Sequence, residues 1–155
     1  MVDPIPAGYH SVTPYLVVDD ANAAIAFYAR AFGATESLRL PMGDRIAHAE
    51  IVIGDSHIML ADSNPAQGIR SPRDLGGSPV SVMLYVENAD SAFERAIAAG
   101  AKEIRPLVNQ FYGDRSGTVE DPFGYQWTIS TSIEEVPLDE MLHRMNNMEV
   151  SGASG

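Results

Sequence analysis

The sequence has 155 residues, 45% of them hydrophobic, with no cysteine and 10 Lys+Arg against 21 Asp+Glu for a formal net charge of −11. That length supports one domain with its own core, and the missing thiols exclude disulfide frameworks, thiolate metal centres, Fe–S clusters and cysteine nucleophiles. Scattered and outnumbered basic residues argue against nucleic acid, and Lys102, the only lysine, lies in no phosphate-loop motif and is expected to face water.

In chain order, the N-terminal Met1-Val-Asp-Pro-Ile-Pro lacks the basic and apolar regions of a signal peptide. The longest apolar run, Val80-Ser-Val-Met-Leu-Tyr-Val86, is far shorter than a membrane span. A soluble, cytoplasmic protein without a membrane partner is expected. Tyr15-Leu-Val-Val18 reads as a buried strand leading into a helix over Ala21–Phe32, capped by Asp20, with Ala24, Tyr28, Ala31 and Phe32 on one face and Gly33 as its stop. The period then changes to two. Over Arg45–Ile53 the apolar face is expected to hold Ala47, Ala49, Ile51 and Ile53, leaving His48 and Glu50 together on the other face. In the strand that follows, His57 shares a side with Met59. Residues 62–79, rich in Ser, Pro and Gly, form a linker. A second strand, Met83-Leu-Tyr-Val86, feeds a helix over Ala89–Ala99 capped by Asn88, with Phe93, Ala96 and Ile97 inward and Gly100 as its stop. Residues 137–145 suggest a short helix with Leu138, Met141, Leu142 and Met145 on one face, and residues 146–155 a small polar tail that frays.

Internal repetition organises these elements. Gly43-Asp44-Arg45 returns 70 residues later as Gly113-Asp114-Arg115, each followed eleven residues after its glycine by Gly54 or Gly124, with Glu50 and Glu120 at matching offsets. The glycines that stop the two helices are 67 residues apart. The expected fold is α+β: one domain over residues 1–145, built of paired βαβββ modules at about 8–61 and 80–131, forming a curved mixed-sheet cradle with the helices outside.

Asp20 with Phe27-Tyr28 and Phe32-Gly33-Ala34, the Ala99-Gly100-Ala101 helix end, and Asp121-Pro-Phe-Gly124 resemble the vicinal oxygen chelate superfamily of glyoxalase I, bleomycin-resistance proteins and extradiol dioxygenases. Gln110-Phe-Tyr-Gly-Asp-Arg-Ser-Gly117 with Asp121-Pro-Phe-Gly-Tyr-Gln-Trp-Thr128 is similar to its PhnB-like branch. The resemblance covers about residues 8–145. It implies metal ligands at four positions, His or Gln first and Glu last in each module. Here those positions hold Thr13, Met59 (Ile58 on strict repeat spacing), Ser81 and Thr128. None of them suits a hard or borderline divalent ion. No metal or other cofactor is therefore expected, and lactoylglutathione lyase and extradiol dioxygenase chemistry are disfavoured. The resemblance implies a cradle that binds a small organic molecule without metal. The alternative is a metal-dependent lyase, isomerase or dioxygenase with displaced ligands. It also implies a homodimer, swapped or unswapped.

Among the other polar residues, His48 and Glu50 read either as a proton-transfer pair, His48 the general base and Glu50 its orienting group, or as a structural polar pair. Arg115 is either an anion clamp or the pin of a loop through an Arg–Asp pair. His57 and Glu120 complete the inward polar inventory. By parity with Thr13, Ser81 and Thr128, the inward lining is Tyr15, Met83, Tyr85 and Gln126, with Trp127 under a helix and His10 and His143 on the surface.

Overall fold

Each half of the chain opens with a short strand that runs directly into a capped helix. In the computed structural model, which describes the backbone of residues 1–153 and the side chains of residues 1–148, the first half is β1 (Tyr15–Val18), α1 (Ala21–Phe32), β2 (Thr35–Met42), β3 (Arg45–Ile53) and β4 (Ser56–Asp62). The second is β5 (Val82–Tyr85), α3 (Ala89–Ala99), β6 (Lys102–Asn109), β7 (Asp114–Glu120) and β8 (Gln126–Ser132). Asp20 accepts from the Ala23 amide and Asn88 from the Ser91 amide, so both expected N-caps close their helices, each worth about 1 kcal/mol. Both helices end on a glycine of positive φ.

The sheets have the same plan, strand order β1-β4-β3-β2 and β5-β8-β7-β6, with the first strand parallel to the last and the rest antiparallel. Neither sheet is closed. One face of each packs on α1 or α3, which also pack on each other; the other face is open. The shared core lies on the helix side. Trp127, fully buried as expected, contacts Tyr28 and Phe32 of α1 at ring-centroid separations of 5.3 and 4.6 Å. Burial of each such ring contributes about 1.5–3 kcal/mol.

The Asp121-Pro-Phe-Gly turn ties the modules together. Buried Asp121 accepts from the Tyr28 hydroxyl (2.6 Å), Trp127 Nε1 (2.9 Å), and the amides of Phe123 (2.9 Å) and Tyr125 (3.0 Å). Burial raises its carboxyl above the ordinary range, while these four donors pull it back down. Tyr125 extends the tie by accepting from the Val17 amide and donating to the Val17 carbonyl on the free edge of β1. Gly113 is required twice over: its φ is +104°, and a Cβ there would collide with the Glu134 carbonyl.

Three expectations are corrected. A bulge between β2 and β3 breaks the alternation, so Ile46 is buried and Ala47 exposed, while Ala49, Ile51 and Ile53 stay inward. Ile97 is 38% exposed, because Phe93 and Ala96 already fill the core side of α3. The linker also holds a 3-10 turn at Pro65–Gln67 and the short α2 (Pro72–Leu75), which Ser71 and Asp74 close with a capping box. The last helix, α4 (Leu138–Ala153), runs past residue 145 through part of the expected tail, since no proline or glycine interrupts it before Gly152. No helix among the described residues is long and apolar enough to cross a membrane.

Candidate functional site

Strand register decides what faces the opening. In the first module Tyr15 lies beside Met59, and Met59 beside Glu50, so the three form one row across β1, β4 and β3 on the open face. Met59, not Ile58, occupies that row; Ile58 is buried on the helix side. Two residues from Glu50, His48 shares its face, as alternation requires.

There the side chains form a chain of polar contacts. The Tyr15 hydroxyl lies 2.8 Å from His48 Nδ1, His48 Nε2 lies 3.6 Å from Glu50 Oε1, and Tyr9 donates its hydroxyl to Glu50 Oε1 at 2.7 Å. Tyr9 also stacks on His57, ring centroids 4.0 Å apart, and Gly8 lies so close that a Cβ would come within 2.9 Å of His57 Nε2. His57 Nδ1 is buried without a hydrogen-bond partner among the described residues. The segment before β1 thus covers His57 and the far side of Glu50 but leaves Tyr15 48% exposed. Burial first, then the hydrogen bond to Glu50 and its charge, push the Tyr9 phenol up to about 12, and burial followed by the charge of Glu50 raises Tyr15. Both are neutral hydroxyls at physiological pH, able to donate.

Three other expected residues, Thr13, Met83 and Tyr85, line a cavity of about 390 Å³ where the segment before β1 and the β3–β4 turn approach β5. Thr13 joins His57 there, and exposed Ser81 lies just before β5. In the second module Met83, Thr128 and Thr118 repeat the row of Tyr15, Met59 and Glu50, and the two threonine hydroxyls are satisfied by each other at 2.9 Å. Glu120 and Gln126 pair at the end of their strands, away from that row.

Arg115 does not join this face. It points to the helix side and holds Asp90 with Nε and Nη2 at 2.8 Å each, and Asn109 at 3.1 Å. Its neighbour Asp114 faces the opening instead, where it accepts from Tyr85 (2.9 Å) and Ser130 (3.0 Å). His10 and His143 are exposed.

The positions that would hold the superfamily's metal carry two threonines, a serine and a methionine, and this donor set does not fit a divalent cation. Among the described residues no group of three His, Asp or Glu side chains converges as a metal site. The Tyr15–His48–Glu50 arrangement is suited to proton movement.

Sequence reasoning missed Tyr9, which stands in no periodic pattern. It also placed Arg115 and Glu120 on one face, although five residues separate them and a regular strand puts an odd spacing on opposite faces.

The family model described as the glyoxalase/bleomycin resistance protein/dioxygenase superfamily matches residues 8–129. An uncharacterised protein of Mycobacterium tuberculosis, Rv0887c, is 42% identical over 141 residues, covering 88% of this chain and 83% of that one. Among solved structures, TioX from Micromonospora sp. ML1 aligns with a TM-score of 0.64 and 25% identity over 80% of this chain and 99% of its own. The Arabidopsis thaliana protein At5g48480 aligns at 0.63 and 26% over 79% and 98%. The PhnB protein of Bacillus cereus, at 0.61 and 18% over 79% and 99%, shares the fold.

Proposed function

The chain belongs to the glyoxalase/bleomycin resistance/dioxygenase superfamily, and we propose that it binds a small organic molecule on the open face of its first module, without a resident metal ion. The supporting observation is the connected chain Tyr15–His48–Glu50–Tyr9 on that face.

Its chemistry follows from which atoms carry protons. A neutral Tyr15 donating to His48 Nδ1 leaves the imidazole proton on Nε2, facing Glu50. Tyr15 then engages Nδ1 of His48 while Nε2 faces Glu50 at 3.6 Å, and the group that meets a ligand is the Tyr15 hydroxyl. When Tyr15 takes a proton from the ligand, it passes its own to Nδ1. The imidazolium so formed lies next to Glu50, which Tyr9 holds in place. His48 is the base, acting through Tyr15. The same groups serve a binding protein as a donor–acceptor pair that fixes the ligand's orientation.

A thermal-shift screen of small organic compounds, followed by calorimetry on the hits, tests this reading. Tyr15→Phe and His48→Ala should weaken binding at least tenfold, about 1.4 kcal/mol, with the fold intact. Stoichiometric Zn, Ni, Mn or Fe in protein purified without chelator contradicts it. The working unit we propose is a homodimer; exposed Leu138, Leu142 and Met145 on α4 support this, and sedimentation at the mass of one chain would remove it.

A further inference from the structure

Beside Tyr15 the open face runs into a second cavity, of about 520 Å³, within the range of small-molecule sites. Tyr15 and Val17 of β1, Met42 and Arg45 of the β2–β3 hairpin, and Ile69 and Arg70 of the linker contribute to its walls. Its two arginines come from separate elements. Among the described residues, Arg39, Arg73, Arg115 and Arg144 are held in ion pairs, whereas Arg30, Arg45, Arg70, Arg95 and Arg105 are in none; of these five, Arg45 and Arg70 share a cavity.

Of the nearby acids, Asp44 stands next to Arg45, and the other four are already engaged. Asp62 accepts from the Ala21 and Ile46 amides, both at 2.7 Å. Asp20 caps α1, Asp19 pairs with Arg73 at 2.8 Å, and Asp74, although it feels the Arg70 charge, accepts from the Ser71 amide (2.9 Å) and hydroxyl (3.0 Å). Arg45 gives one Nη2 hydrogen bond to the Ser63 carbonyl and keeps other donors free. In a chain of net charge −11, Arg45 and Arg70 are two exposed guanidiniums, in no ion pair, on one cavity whose walls also carry Asn64, Gln67 and the amide-bound Asp62, and they are open to an anion from outside the chain.

We infer that this cavity takes an organic oxyanion, a carboxylate or phosphonate on a flat apolar body, its head group held by Arg45 and Arg70 and its body lying on Tyr15 toward His48. This rests on the proposed binding face and names the ligand class for it. The anion clamp is thus the first copy of the repeated Gly-Asp-Arg element, not the second: Arg45 lines the opening, and Arg115 is spent on Asp90.

The test uses the full chain with phenylphosphonate and benzamide as probes, following arginine Nε–Hε and histidine ring signals by NMR. Phenylphosphonate should shift Arg45 and Arg70 saturably and bind at least tenfold tighter than benzamide. The double variant R45Q/R70Q should remove that preference; both side chains are exposed, so the fold should survive, as circular dichroism checks. Shifts at Arg45 and Arg70 no larger than at Arg30 and Arg105, or unchanged phenylphosphonate affinity in the double variant, overturn the inference. Equal binding of both probes with His48 shifted also overturns it, while leaving the binding face standing. Saturable arginine shifts with His48 and Tyr15 unmoved support the anion site and defeat the reading of the face beside it.

Discussion

The two modules share one plan and differ in what they place at the same point of it. In the first, the row across the last antiparallel pair and the leading strand is Tyr15, Met59 and Glu50, with His48 two residues away; in the second it is Met83, Thr128 and Thr118, with Ser116 two residues away. One row carries a phenol and a carboxylate beside an imidazole, and the other carries a thioether and two hydroxyls that satisfy each other. Of the second module's two buried carboxylates, Asp114 is held by Tyr85 and Ser130 on the open face, and Asp121 serves the join between the modules. The proposed function makes the two copies unequal: the second supplies the tie between the modules, and the first the binding face.

The largest expected effect lies on the structural side of that division. Asp121→Ala leaves four buried donors without an acceptor and should cost about 3 kcal/mol or more in chemical denaturation. A loss below 1 kcal/mol would show that the modules do not depend on this tie. Gly113→Ala comes next, since the new Cβ meets the Glu134 carbonyl and the residue is held at positive φ; a clear drop in melting temperature is expected, larger than for Gly43→Ala, where no neighbour lies within 4 Å.

Function should separate the modules in the opposite sense. His48→Ala and Tyr15→Phe should reduce affinity for a screened ligand about tenfold with little change in stability, whereas Thr13→Ala and Thr128→Ala should matter less. Equal losses from both sets would erase the contrast.

The smallest effect is on pH. With the Tyr9 phenol at about 12 in the fold against 10.0 ordinarily, the unfolded chain loses this proton first. Any stability from the Tyr9–Glu50 contact is therefore complete below pH 10 and is lost as pH rises through about 12. The alkaline limb of the stability curve should move accordingly in Tyr9→Phe, and spectrophotometric titration should show one tyrosine fewer ionising at high pH.

Much of this was legible in the sequence because it is local. Asp20 and Asn88 announce helix starts, Gly33 and Gly100 announce stops, and the alternation from Ala49 to Ile53 gives the side on which His48 and Glu50 stand. What escaped depends on partners far along the chain. The bulge that turns Ala47 outward is set by pairing with β2. Tyr9 acquires a role only because β3 and β4 present Glu50 and His57 beneath it. The side taken by Arg115 was readable from parity but hidden by the repeat, which invited equating it with Arg45. Glu50 and Glu120 show the same trap: matched in offset, they stand opposite Met59 and Gln126 at different points of their strands.

The most direct test of the divided plan is to map where a ligand from the screen binds, by chemical-shift perturbation over the assigned chain. Perturbations centred on Tyr15, His48 and Glu50, with Met83, Thr118 and Thr128 unmoved, are the predicted result. Perturbations centred on Met83, Tyr85 and Thr128 with His48 unmoved would contradict it.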